Sequence, residues 1–332
     1  MVIIEDLLNE IYIMLGTDFT TSTASWSKVP VSTDRLAPCQ QTLAKAIRCI
    51  GVGVHSGEPV HIAIKPAAIN TGYVFIRTDI THHNRIEAIW SNVTDTSMCT
   101  KITNDHGVSI STIEHIMAAL AGMHIHNAII EVGGPEVPIM DGSSADFVTL
   151  IQAVGIKRQN APLKIIRVLK PIQVSHKTGT AFLLPADERR FSMEFNFAGR
   201  MAETSFLSYY PDSDDFVDCL ADSRTFGFFE DAQKLQAAGL AKGASLQNTI
   251  VIGEAGIMNE GGLRHQDEFV RHKVLDAVGD LALAGGILLA HFDGINSGHG
   301  LNNQLLRSLF ADPSAWEIIV PQTQPYATWE IA

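Results

Sequence analysis

The sequence is short of cysteine, of basic residues and of long apolar runs, and each shortage closes off a class of protein. Its four cysteines, Cys39, Cys49, Cys99 and Cys219, form no CxxC pair and no dense framework across 332 residues. A disulfide scaffold is therefore excluded and a reducing compartment is expected. Lysine and arginine number 24 against 36 aspartates and glutamates, for a formal net charge of −12. That balance argues against general nucleic-acid binding, which depends on cations that neutralise phosphates. No apolar run reaches the ~20 residues that span a bilayer. The opening stretch, MVIIEDLLNEIYIMLG, is acidic, unlike the basic start of a signal peptide or an arginine-rich transit peptide. A cytoplasmic protein with no membrane span is the expectation. No P-loop, GxGxxG fingerprint or GxSxG elbow is present either.

What remains is a chain with 46% hydrophobic and 18% charged residues, the make-up of a globular enzyme with a sizeable core. Residues 1–40 read as an extension: a short amphipathic helix near Ile4–Leu15, then the polar run TDFTTSTASWSKVPVSTDR. From Gln41 the pattern is strand-rich, through LAKAIRCIGVGVH, PVHIAIKPA and GYVFIRTDI. The helical run STIEHIMAALAGM, the strand NAIIEVGG and the helix ADFVTLIQAVGI follow. Lys157–Pro162 reads as a linker. Strands LKIIRVLKPIQV, TAFLLPA and RFSMEFNF then precede the helix EFVRHKVLDAVGDL, the strand GILLAHF and the helix LNNQLLRSLF. Sheet, helix, strand, helix thus occurs twice, which predicts an α+β protein of two similar domains, residues 41–160 and 161–312, with a tail over 313–332.

Three histidines stand out. His272 and Asp276 lie at i and i+4 of a predicted helix and reach one point outside it, while Leu275, Val278 and Ala282 form a core face. Imidazole and carboxylate are standard zinc ligands, and a catalytic ion needs a third ligand and an open position. A solvated i,i+4 pair is the plainer reading of this HxxxD. In STIEHIMAAL, His115 can be the third ligand with Glu114 as general base, although Ser111 and Glu114 also fit a capping box. In SGHGLNNQLL, His299 sits between glycines before a helix. It is either an idle loop histidine or an acid held charged by Asp280. His124 and His126 would share a strand face in MHIHN, without a companion carboxylate. His82, His83, His265 and His291 read as surface or core histidines.

The motifs GVGVHSG, STIEHIMAALAG, PEVPIMDGSSADF, SRTFGF, DEFVRHKVLDAVGDL and SGHGLNNQLL occur in this order. Between about Gln41 and Phe310 the chain resembles the UDP-3-O-acyl-N-acetylglucosamine deacetylases, the zinc enzymes of lipid A synthesis. The resemblance implies two domains, each a sheet layered with two helices, with the helices sandwiched between the sheets. It implies one catalytic Zn²⁺, for which Fe²⁺ can substitute in this donor set, held by His115, His272 and Asp276. Glu114 would be the base, His299 the acid or electrostatic partner oriented by Asp280, and Thr225 an oxyanion donor. Phe226, Phe228 and Lys273 match positions that contact the nucleotide sugar or its diphosphate. An insert near DTSMCTKI contributes Met98. A second insert, about residues 224–251, would form an acyl passage lined by Leu235, Leu240, Ala241 and Ala244. The implied partner is a nucleotide-sugar lipid substrate, with no nucleic acid, and the implied state is a monomer. Lys177 lies near the family's nucleotide-site lysine but slightly out of register. A zinc amidohydrolase acting on another N-acyl substrate is the alternative, and a non-enzymatic metal-binding module would have no use for Glu114, Thr225 and His299 together.

Overall fold

The structure is a computed structural model that describes residues 39–321 other than 178, 202 and 203. The helix expected near Ile4–Leu15, and all of the extension but Cys39 and Gln40, fall outside the described residues.

Two five-stranded sheets share one topology. In the first the strand order is Ile47–Val52, Pro59–Pro66, Ala128–Val132, Tyr73–Arg77 and Arg85–Glu87. In the second it is Ile172–His176, Gly179–Leu184, His291–Ile295, Arg190–Asn196 and Thr204–Tyr209. In both, the strand last in sequence enters the middle, antiparallel to the second strand and parallel to the third. Such a strand must return through a longer connection, and in both halves that connection holds an insert and a helix. Alternation sets the register: Ala128–Val132 buries every second residue, so one face of the sheet meets the core.

Five α-helices are described: α1 (Glu114–Gly122), α2 (Ala145–Val154), α3 (Phe229–Ala237), α4 (Glu268–Leu281) and α5 (His299–Ala311). Helices α1 and α2 flank the central strand of the first sheet in sequence, as α4 and α5 flank that of the second. Helix α4 packs on Arg190–Asn196 and Thr204–Tyr209 and, on another side, against α1. Gly279 permits that approach. A Cβ there would lie 2.1 Å from the Glu114 carbonyl oxygen and 3.1 Å from the Ala118 nitrogen, so only a bare backbone lets the helices meet. The core runs continuously from Ile64, Phe75 and Ile130 through Ile116 and Leu120 to Val274, Leu275 and Phe292.

The inserts differ. The first is a three-stranded sheet, Val93–Asp95, Lys101–Thr103 and Ser109–Ile110. The second combines α3 with Phe226–Phe228, Ile250–Gly253 and Gly256–Ile257. The buried Glu268 at the start of α4 anchors it, accepting hydrogen bonds from Arg224 Nε at 2.8 Å and from the Arg224 amide at 3.0 Å.

Three local expectations change. His124 and His126 lie in the turn after α1, His124 at φ 54°, and the following strand begins only at Ala128. Ile156–Arg158, partly within the expected linker, pairs with Gln41–Leu43. Trp316–Ile319, within the stretch read as a tail, pairs antiparallel with Ile165–Val168. All four cysteines are free, as expected. Among the described residues no helix is long and apolar enough to cross a membrane.

Candidate metal centre and active site

His272 and Asp276 sit mid-way along α4, both 2% exposed, on the side that faces the first turn of α1. His115, the second residue of α1, completes a group whose ligand atoms all lie within 4.8 Å of one another. Asp276 Oδ1 is 3.4 Å from His272 Nε2 and 3.7 Å from His115 Nε2. That oxygen is buried and has no hydrogen-bond partner among the described residues. A carboxylate oxygen left bare between two imidazoles is costly unless something positive completes it.

The surroundings prepare the three side chains as donors. The Ser223 carbonyl, 3.0 Å from His272 Nδ1, fixes the tautomer that leaves Nε2 with its lone pair. Burial depresses the pKa of His272 despite Asp276. Burial and the neighbouring His272 hold His115 at about 3, and both shifts run toward the neutral rings that ligation requires. Burial opposes ionisation of Asp276, but His272 and Lys273 outweigh it and keep the carboxyl well below its usual range. Lys273 Nζ donates to Asp276 Oδ2 at 2.8 Å, engaging one carboxylate oxygen and leaving the other inward. The residues therefore fit a divalent cation.

Glu114 opens α1 and is 4% exposed. The capping-box reading fails here: the helix has no side-chain N-cap, and the Ser111 hydroxyl donates instead to the Pro135 carbonyl. Glu114 Oε2 accepts from the Thr100 amide at 2.9 Å, and Oε1 faces His299 Nε2 at 3.8 Å. Burial drives the Glu114 pKa up, His299 offsets part of that, and Asp280 and Asp276 add to it, leaving about 7. His299 is the first residue of α5, and its Nδ1 lies 2.8 Å from Asp280 Oδ2. Burial disfavours its charge, but Asp280, Glu114 and Asp276 outweigh that and raise its pKa to about 10. A carboxylate poised near neutrality thus faces an imidazolium.

Of the other named residues, Phe226 packs beside this centre. The ring of Phe226 lies 6.0 Å from that of His272 and 5.5 Å from Lys273 Nζ. Thr225 precedes it, half-buried, with its amide on the Gly142 carbonyl and its carbonyl on the Ile250 amide. The guanidinium of Arg200 stacks 3.4 Å over the ring of Phe228. Met98 is exposed; in the second insert Leu235 is half-buried, Leu240 exposed, Ala241 buried and Ala244 half-buried. Lys177 occupies the turn between Ile172–His176 and Gly179–Leu184. His124 and His126 stand apart, lining a cavity of about 380 Å³ with Tyr209 and Arg189; His126 Nδ1 accepts from the Gln41 amide. Four supporting residues had no signature in the sequence reading: Thr100, Ser223, Asn302, and Arg224 in its pairing with Glu268.

Against known proteins, the profile of one family, LpxC, described as UDP-3-O-acyl N-acetylglycosamine deacetylase, matches residues 40–311. The chain belongs to that family. It is accordingly a hydrolase, a deacetylase by family. A UDP-3-O-acyl-N-acetylglucosamine deacetylase of Shewanella pealeana is 45% identical over 282 residues, covering 84% of this chain and 92% of that protein. One of Chromohalobacter salexigens is 46% identical over 284 residues, covering 84% and 93%. One of Shewanella oneidensis is 45% identical over 284 residues, covering 84% and 92%. The match spans both five-stranded sheets, both inserts and every side chain of the cluster.

Proposed function

We propose that this deacetylase hydrolyses the N-acetyl group of UDP-3-O-[(3R)-3-hydroxyacyl]-N-acetylglucosamine, giving the free amine and acetate, a step of lipid A synthesis. One observation carries the reading: the bare, buried Asp276 Oδ1 between His115 and His272, with Glu114 next in sequence to one of them. His115, His272 and Asp276 would hold Zn²⁺, and the same two nitrogens and one oxygen suit Fe²⁺. An ion held there supplies Lewis acidity, bringing water to a pKa of ~7 and polarising a carbonyl.

The chain's own groups do the rest. Glu114 takes the proton of the attacking water on Oε1, since Oε2 already accepts from the Thr100 amide. The Thr225 hydroxyl donates to the oxygen that gains charge as the acetyl carbon becomes tetrahedral. His299, charged at neutral pH, places its Nε2 proton beside the same charge. Glu114 returns its proton to the departing amine and is ionised again. Phe226 and Lys273 face the sugar and diphosphate, Phe228 and Met98 border the site, and residues 224–251 take the acyl chain along Leu235 and Leu240. The protein acts in the cytoplasm on a lipid carried by a nucleotide sugar.

The test is metal removal and restoration with that substrate in graded acyl lengths, scoring acetate. Acetate release should vanish in the stripped protein and return with zinc, and circular dichroism should show the fold retained throughout. Release that survives complete stripping would refute the reading. Activity on unrelated N-acyl compounds alone would favour the broader amidohydrolase.

A further inference from the structure

Thr100 touches both working carboxylates, though it stands far from them in sequence. It lies between the strands Val93–Asp95 and Lys101–Thr103 of the first insert and is 1% exposed. Its amide donates to Glu114 Oε2 at 2.9 Å, 14 residues away, and its hydroxyl donates to Asp280 Oδ1 at 2.5 Å, 180 residues away. Its carbonyl accepts from the Ile113 amide at 3.4 Å, just ahead of α1. Every polar atom of this threonine is therefore spent on the site or on the entry to its first helix.

The rest of the Asp280 network is as closely held. Oδ2 faces His299 Nδ1 at 2.8 Å and accepts from Asn302 Nδ2 at 2.8 Å, while the Ser297 hydroxyl donates to Asn302 Oδ1 at 2.7 Å. An ionised carboxylate only accepts, so Thr100 must donate its hydroxyl proton and His299 must carry a proton on Nδ1. Each bond to an ion is of the stronger, charge-assisted kind. With Oδ1 fixed by Thr100, the carboxylate cannot turn without breaking a buried bond.

Resting on the deacetylase reading, we infer that Thr100 is a positioning residue that couples base and acid. Its amide commits Glu114 Oε2, leaving Oε1 as the oxygen that moves protons, and its hydroxyl locks Asp280 so that the His299 imidazole faces Glu114. One residue of the first insert thereby sets the relative placement of two groups from opposite halves. A threonine serving only as core packing would need none of these donors.

The test uses the full-length, zinc-loaded protein with Thr100→Val and Thr100→Ser. Valine keeps the amide and the shape but removes the hydroxyl; serine restores it. Misplacing a catalytic group by about 1 Å costs on the order of 100-fold, so kcat of Thr100→Val should fall roughly 10- to 100-fold. KM for UDP-3-O-acyl-N-acetylglucosamine and bound zinc should stay at wild-type values, and Thr100→Ser should recover most of kcat. Independently of turnover, the His299 Nδ1 proton, followed by NMR of ¹⁵N-histidine protein, should move upfield and exchange faster in Thr100→Val alone. An unchanged proton signal with unchanged kcat overturns the inference. Equal loss of kcat and zinc in both variants also overturns it, by making Thr100 purely structural. Wild-type protein that releases no acetate refutes the deacetylase reading instead, and the NMR comparison still decides whether the hydroxyl holds Asp280 and His299.

Discussion

The two halves of the chain build one scaffold twice and use it differently. In each, a helix leads into the central strand and a second helix leaves it. The first half gives the site the opening turn of its first helix, Glu114 and His115. The second half gives His272 and Asp276 from the middle of α4, Asp280 from its last turn, and His299, the opening residue of α5. At the position of His299 the first half has the DGSSADF turn, where the Ser144 hydroxyl donates to the His115 carbonyl at 2.8 Å. In the proposed mechanism the second half meets the substrate's charge there, whereas the first half braces its own helix. On the proposed mechanism one architecture divides into a part that would supply the base and a part that would supply most of the metal donors, and the contact at Gly279 brings them together.

The strongest way to break this division is to remove donors from the second half. His272→Ala or Asp276→Ala should abolish tight metal binding and nearly all turnover, because two protein ligands hold an ion poorly. Metal analysis after dialysis checks this, and near-stoichiometric zinc in both variants would sink the ligand assignment. On the first half, Glu114→Ala should lose roughly 10²- to 10⁴-fold in kcat, the usual worth of a general base. Its zinc content should stay normal, so kinetics and metal analysis together separate the contributions of the halves.

The joint itself comes next. Gly279→Ala drives a methyl into the α1 backbone, and overpacking of this kind costs about 1–3 kcal/mol. Urea unfolding should show that loss together with reduced turnover. A variant as stable and active as wild type would mean that the helices have room to separate.

The acid side of the second half is sharpened by pH. Carboxylates favour the imidazolium, so His299 stays charged up to about 10. Removing Asp280, the foremost of the groups that raise this value, lowers it, and the proton is then lost at lower pH. The descending limb of kcat/KM against pH should therefore move toward neutrality in Asp280→Ala. An unmoved limb would take His299 out of the mechanism. The smallest effect belongs to the second insert. Each excluded methylene forfeits roughly 0.8 kcal/mol of burial, so Ala244→Leu should penalise long acyl chains more than short ones. Equal losses across a chain-length series would place Ala244 away from the passage.

Much of this was legible in the sequence because it is local. The i,i+4 spacing of His272 and Asp276 is a property of any helix, and the repeated order of sheets and helices showed in apolar periodicity alone. Glu114 was ambiguous because Ser111 offers the same spacing as a cap. The fold removes the cap, since the Ser111 hydroxyl donates to the Pro135 carbonyl and Glu114 Oε2 accepts instead from the amide of Thr100 in the first insert. Thr100 itself left no trace, since a threonine between two short strands is unremarkable until the fold sets Asp280 beside it. His124 was misread as strand because the alternation in MHIHN continues into Ala128–Val132, while the backbone at His124 turns left-handed. The strand Trp316–Ile319 was missed because its neighbour in the sheet is some 150 residues away.

The placement of Gly279 against the Glu114 carbonyl has a thermodynamic consequence. On the proposed ligand set neither half holds all the donors, so an ion at His115, His272 and Asp276 would bind only where the halves are docked. By mass action it stabilises that docked state and no other. Metal occupancy then acts as a clasp on the α1–α4 seam: a chelator should loosen this seam before it melts either sheet, and amide exchange along the two helices should quicken first.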